Sequence, residues 1–159
     1  MIYGNGFGIV EDVSFDSTGQ ILATADDDGT ARLWDVTTQR QIGGPLPASS
    51  HGPVTGVTFG PGGRQLATIG SDGTMRLWDV ATQRQIGSPM SVPGGVHAVA
   101  FSPNASVVAT ASPGGIVRLW DVSFPVNLLK QACSIAGRTL TRGQWSFYIH
   151  SVPYQRACP

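Results

Sequence analysis

The chain has 159 residues, 41% hydrophobic and 13% charged, which fits one globular domain with room for a core. Ten basic and ten acidic residues give a net charge of zero, which argues against nucleic-acid binding because that needs a basic surface. The sequence has no run of 18 apolar residues and no basic, apolar leader, so we expect no membrane span and a cytoplasmic protein.

The first segment, residues 1–9, is rich in glycine. Met1-Ile2-Tyr3 could add an edge strand to a sheet formed elsewhere, but Gly-Asn-Gly follows directly and makes a poor strand. We interpret residues 1–9 as an N-terminal remnant or edge strand.

Residues 10–122 contain the same unit three times. Each copy ends in Arg-Leu-Trp-Asp-Val, and the tryptophans Trp34, Trp78 and Trp120 are 44 and then 42 residues apart. Self-similarity at this period is the signature of a structural array. We place the three repeats at about 10–53, 54–95 and 96–122.

Each unit is typical of a meander of antiparallel strands. A short strand ends in Phe15, Phe59 or Phe101, a second strand follows after a turn, and the Trp strand is third. The Asp-Gly pairs at 28–29 and 72–73 predict two-residue hairpin turns, since Gly accepts a positive φ.

The segments after the first two Trp strands are more polar. Residues 37–43 and 81–87 predict a turn and a fourth strand on the outer edge. The stretches 45–53 and 89–95 are rich in Pro, Ser and Gly and predict surface loops.

These units resemble WD-repeat β-propeller blades, and the resemblance implies an all-β fold of three blades in a partial or open β-propeller. In that family a His, a Ser or Thr, an Asp and a Trp form a hydrogen-bonded tetrad within a blade. The second repeat matches with His51, Thr68, Asp72 and Trp78, so the resemblance implies that His51 bonds Asp72 and Thr68. The other repeats match in part, at Thr24, Asp28 and Trp34 and at Thr110 and Trp120, with Phe7, Pro93 and Gly114 at the unmatched positions.

After Val122 the apolar pattern changes to a spacing of three or four. Val126, Leu129 and Cys133 would share a helical face, and Thr141 can begin a second helix, so residues 123–159 predict a short helical tail. The tail is similar to that of actinobacterial WD-repeat proteins, several of which carry a signalling ATPase or kinase module. Nine arginines against one lysine also favour a bacterial source.

Known catalytic and metal motifs find no match. Asp26 to Gly29 is flanked by strands rather than by the helices of a calcium-binding EF-hand, and Lys130 does not follow the glycines of a P-loop. Cys133 and Cys158 favour reduced thiols, with a disulfide as the alternative. We therefore expect no enzyme activity, cofactor or metal site.

What remains is a binding surface. WD-repeat propellers bind peptides and proteins through the loops at one end, and position by position this implies a candidate partner surface of Glu11, Asp27, Ser71, His97 and Pro113. Their chemistry differs too much to imply one ligand class.

Three blades are fewer than the four or more that close a propeller, so the end faces should expose apolar side chains. We expect a second copy that completes a propeller, a longer chain of which this is a fragment, or a partner. The expected function is a non-catalytic protein-interaction scaffold, and the alternative is a regulatory or sensor fragment of a signalling ATPase or kinase.

Overall fold

The structure is a computed structural model, and it describes residues 8–123. The strands in this range are β1 (Val10–Phe15), β2 (Ile21–Asp26), β3 (Thr30–Asp35), β4 (Arg40–Pro47), β5 (Val54–Phe59), β6 (Gln65–Gly70), β7 (Thr74–Asp79), β8 (Arg84–Ser91), β9 (Ala98–Phe101), β10 (Val107–Ser112) and β11 (Ile116–Asp121). A 3₁₀ turn, Pro61–Gly63, precedes β6. No helix in the range is long and apolar enough to cross a membrane. Phe7, the predicted helical tail and both cysteines lie outside the described residues.

The strands form three antiparallel sheets that follow chain order. The first sheet has the order β1-β2-β3-β4, the second β5-β6-β7-β8, and the third β9-β10-β11. The predicted all-β fold of three repeated meanders is confirmed, and the three sheets form an open array rather than a closed ring.

The prediction of two-residue hairpin turns was wrong by one residue. β2 ends at Asp26 and β3 begins at Thr30, which leaves a three-residue loop, and β6 and β7 are joined in the same way. The loop closes when Gly29 N donates to the Asp26 carbonyl at 3.3 Å, and Gly29 has a φ of +84°. A glycine in the left-handed region at the third loop position is the usual form of this longer turn.

The outer strands run further than the polar segments predicted. β4 and β8 continue through Pro45 and Pro89, where the sequence predicts surface loops. The reason is that both strands lie on a sheet edge, where a residue without an N–H costs no ladder hydrogen bond. Register shifts opposite β3 and β7 accommodate these prolines.

Each sheet has two faces, which we name after residues of the third strand. On the Trp face of the second sheet, Trp78 lies opposite Leu66, and Phe59 lies opposite Leu66 on the other side. On its Leu face, Leu77 lies opposite Ala67. Because side chains alternate along a strand, this assignment holds through each sheet.

The core lies between sheets. The Leu face of the first sheet packs on the Trp face of the second, in a buried cluster of Ala23, Ala25, Ala31, Leu33, Leu46, Ala48, Val54, Val57, Phe59, Leu66 and Trp78. The Leu face of the second sheet packs in the same way on the third, through Ala67, Ile69, Met75, Leu77, Val92, Val96, Val108 and Val122. We call each such contact between two sheets a junction. It consists of the Leu face of one repeat and the Trp face of the next.

The outermost faces of the array expose apolar side chains. On the Trp face of the first sheet these are Val13 and Phe15, and on the Leu face of the third sheet they are Val117 and Leu119. Within residues 8–123, no sheet covers either face.

Candidate functional site

The structure brings the predicted Trp and Thr together in all three repeats. The indole N–H of Trp34 donates to Thr24 Oγ1 at 3.1 Å, and that of Trp78 donates to Thr68 Oγ1 at 3.0 Å. Trp120 donates to Thr110 Oγ1 at 2.8 Å. In each sheet the bond joins the second strand to the third, and in the first two sheets it satisfies an indole donor that would otherwise be buried without a partner.

Asp72 organises the hairpin loop of the second repeat. Its Oδ1 accepts from Thr74 N at 3.0 Å and from Thr74 Oγ1 at 2.7 Å. Its Oδ2 accepts from Ser50 N at 2.8 Å and from Arg76 Nη2 at 3.0 Å. Asp72 thus holds its own turn and also the segment that leads into β5.

The charge of Asp72 is strongly stabilised. Burial opposes ionisation of its carboxyl group, but the hydrogen bonds from Ser50 N, Thr74 and Arg76 outweigh that effect and lower its pKa to about 2. Asp72 is therefore a carboxylate throughout the neutral range, paired with the buried Arg76 guanidinium.

The expected role of His51 needs correction. Its side chain is exposed, and no hydrogen bond joins its ring to Asp72 or Thr68 in the described part of the chain. The His51 carbonyl instead accepts from Ser49 Oγ at 2.9 Å and Ser71 Oγ at 3.0 Å. The physical reason is that Arg76 already occupies the free side of the carboxylate, and it brings a permanent charge that His lacks.

Arg76 is the residue that the sequence reasoning missed. Its guanidinium bonds the Ala48 carbonyl, Thr74 Oγ1 at 2.8 Å and Ser50 Oγ at 2.8 Å, besides Asp72. A signal was available in the repeats, because an Arg stands two residues before each Trp.

The equivalent arginines bond different partners. In the first repeat, Arg32 Nη1 pairs with Asp26 and Nη2 with Asp28, both at 2.5 Å. The hydrogen bond from Arg32 lowers the pKa of Asp28. In the third repeat, where Gly114 replaces the turn aspartate, Arg118 donates to the Pro93 carbonyl at 3.2 Å and to Ser112 Oγ at 3.4 Å. The partners of this arginine therefore depend on the acceptors in each repeat. They belong either to the hairpin and its strands or to the segment that leads into the first strand of the sheet.

Two of the predicted partner-surface residues line one pocket. Glu11 of the first repeat, Thr55 of the second and His97 of the third line a pocket of about 310 Å³. The remaining lining residues are Asp12, Gly56, Ile69, Ala98 and Val99. Glu11, Thr55 and His97 occupy one repeat position, since they are separated by the same 44 and 42 residues as the tryptophans. Sequence reasoning missed Thr55, although this spacing could have identified it.

The pocket has a mixed polar chemistry. Glu11 is exposed and can accept hydrogen bonds, while His97 can donate or accept. Asp12 is already engaged, because its Oδ2 accepts from Val57 N at 3.0 Å and its Oδ1 from Val13 N at 2.8 Å. Of the two carboxylates that line the pocket, that of Glu11 is therefore the one without a described hydrogen bond.

The other three candidates lie apart from the pocket, in the hairpin loops. Asp27 is half-buried, and its N–H donates to the Ile9 carbonyl at 3.0 Å. Ser71 is exposed and bonds the His51 carbonyl, and Pro113 is exposed. In residues 8–123, no group of three or more His, Cys, Asp or Glu side chains is placed to hold a metal ion.

The sequence of the chain matches a protein-family model. The family described as WD domain, G-beta repeat matches residues 2–35, 44–79 and 87–121. The first two segments include the first three strands of their sheets, the third includes the whole third sheet, and each ends at the Asp that follows its repeat's tryptophan. A comparison with curated proteins gives no match.

Proposed function

The chain belongs to the WD-domain, G-beta-repeat family, and on that premise we propose that it is a non-catalytic scaffold that binds a protein or peptide partner. WD repeats generally mediate protein–protein interactions. The observation that carries the proposal is the pocket in which one position from each repeat, Glu11, Thr55 and His97, converges.

The chemistry of this pocket favours a basic side chain of a peptide. The Glu11 carboxylate offers a charged acceptor that no described hydrogen bond occupies, and Thr55 and His97 offer polar groups beside it. Ile69 and Val99 supply apolar surface for the stem of a Lys or Arg, whose methylenes pack on apolar residues while the head stays polar.

The test uses an array of short peptides that carry one Lys or Arg among uncharged residues, with matched peptides that carry Gln. We expect the chain to bind basic peptides in preference. Glu11→Gln should weaken that binding by about tenfold or more, since a hydrogen bond to a charged group contributes roughly 1.5–3 kcal/mol.

Asp35→Asn is the matched control, because it removes one negative charge at a residue outside both the pocket and the candidate partner surface. It should leave the affinity unchanged. Equal binding of basic and Gln peptides, or no effect of Glu11→Gln, would contradict the proposed site.

The alternative, a regulatory fragment of a signalling ATPase or kinase, uses the same kind of surface but requires an enzyme as the partner. The resemblance of the tail to actinobacterial proteins suggested it, and those residues lie outside the described range. Neighbouring coding sequence with a P-loop or kinase module would favour this alternative. A cytoplasmic location is part of the proposal, as is a second polypeptide at the open ends of the array.

A further inference from the structure

The two outermost faces of the array match the two halves of a junction that already exists inside the chain. On the Trp face of the second sheet, Val57 and Phe59 are 3% and 9% exposed, because the first sheet covers them. The same repeat positions in the first sheet are Val13 and Phe15, which are 54% and 58% exposed. The residue types are identical, so the exposed part of this face, beside the buried Trp34, has the composition of one that packs.

The Leu face of the third sheet shows the same contrast. Met75 and Leu77 of the second sheet are 0% and 4% exposed, because the third sheet covers them. Their equivalents, Val117 and Leu119, are 67% and 73% exposed. Ala109 and Ala111 lie opposite them on β10. The small residues there correspond to Ala23 and Ala25, which the second sheet covers in the first junction.

From this we infer that the occupant of both faces is a second copy of the chain, with the Leu face of one third sheet packed on the Trp face of the other first sheet. This inference deepens the proposed function, because it names one polypeptide partner of the module. The contact is heterologous, so two copies close through two identical junctions when each copy spans half of the ring. Two copies also give six blades, within the four to eight that closed propellers contain, whereas one copy gives three.

One backbone donor at the new junction needs no polar group from the partner. At the first internal junction, Asp12 Oδ2 of the Leu face accepts from Val57 N. At the equivalent position of the third sheet is Ala98, which has no acceptor side chain. However, the N–H that corresponds to that of Val57 is that of Val13, and it already donates to Asp12 Oδ1 at 2.8 Å. The junction can therefore be apolar without leaving this donor unpaired.

The test is the mass of the full 159-residue chain by light scattering after size exclusion. We expect twice the monomer mass of 16.7 kDa. Phe15→Lys and Leu119→Asp should each give monomers, with a dissociation constant weakened on the order of 100-fold or more, because each substitution is present at both junctions. Ser88→Lys and Ser88→Asp make the same charge changes at an exposed position of the second sheet, which carries neither outermost face, and they should keep the wild-type mass.

A mixture of the two variants tests the head-to-tail arrangement. Phe15→Lys retains an intact Leu119 face and Leu119→Asp retains an intact Phe15 face, so together they can form one undamaged junction and should give one-to-one pairs. Both substituted side chains are exposed in the single chain, and circular dichroism should show an unchanged fold.

A wild-type chain that stays at 16.7 kDa would overturn the inference, and so would either variant that keeps the doubled mass or a mixture that does not pair. Glu11→Gln separates this result from the peptide site, because it should abolish the preference for basic peptides while the doubled mass is retained.

Discussion

Replacing Asp72 with Asn should destabilise the protein in a way that depends on pH. The pKa of Asp72 falls from 3.8 to about 2, and at 1.36 kcal/mol per pKa unit this corresponds to about 2 kcal/mol of stability from the charged form. Its side chain is 7% exposed, so solvent screens the Arg76 pair only weakly. Asn keeps the shape of the side chain but loses the charge.

The sign of the pH dependence follows from the lowered pKa. Asp72 contributes its full stability above the pKa of the unfolded chain, near 4, and this contribution is lost as the pH falls from about 4 toward 2. Wild type and Asp72→Asn should therefore differ by about 2 kcal/mol at pH 7 and converge as the solution is acidified.

The measurement is urea unfolding followed by tryptophan fluorescence, at pH values from 7 to 3. Asp28→Asn is the matched control, since Asp28 holds the same turn position but its side chain is 45% exposed. Solvent screening there should reduce the loss to less than about 1 kcal/mol. A difference between wild type and Asp72→Asn that is negligible at pH 7, or that does not change down to pH 3, would refute the reasoning.

Two further predictions test the hairpin loop. His51→Ala should change the free energy of unfolding by no more than about 0.5 kcal/mol, as for a surface residue. Arg76→Met should lower it by roughly 3–5 kcal/mol, because it leaves a buried carboxylate unpaired. If urea unfolding shows comparable losses for the two variants, His51 takes part in the tetrad that the sequence predicts. Gly73→Ala should lower the free energy of unfolding by about 1–2 kcal/mol, because the φ of +75° is unfavourable for a residue with a Cβ. A steric clash does not contribute, since the added Cβ meets only the Val92 carbonyl, at 3.8 Å. Gly44→Ala, at a position with open space and no positive φ, is the control and should leave the urea midpoint nearly unchanged.

Strand positions were predictable because they depend on short-range pattern. Local backbone preferences determine the alternation of apolar and polar residues before Phe59, the turn at Gly73 and the strand that contains Trp78. The pattern occurs three times, which makes the prediction more specific. The end of β4 was not predictable in the same way, since a proline at position 45 is compatible with a loop or with an edge strand, and the choice depends on which side of the strand has a neighbour.

The candidate site was predicted only in part. Glu11 and His97 were predicted because they lie near the start of the first strand of their sheets. The sequence around each of them does not show that they share a pocket with Thr55. The family pattern assigned His51 to the Asp72 carboxylate, while the structure gives that place to Arg76 and Ser50. Identical spacing predicts equivalent backbone positions, but the bonding of a side chain depends on what competes for the same acceptor.

The sequence by itself determined the repeat, its strands and the bond between Trp78 and its threonine, because these depend on residues within about ten positions of each other in the chain. Only the tertiary structure decided how Asp72 is paired, that Glu11, Thr55 and His97 converge, and which equivalent residues are buried or exposed. Val13 and Val57 have the same local pattern, and their exposure differs only because a neighbouring sheet covers one of them. Burial is a property of the stacked sheets, and the pattern within one repeat does not contain it.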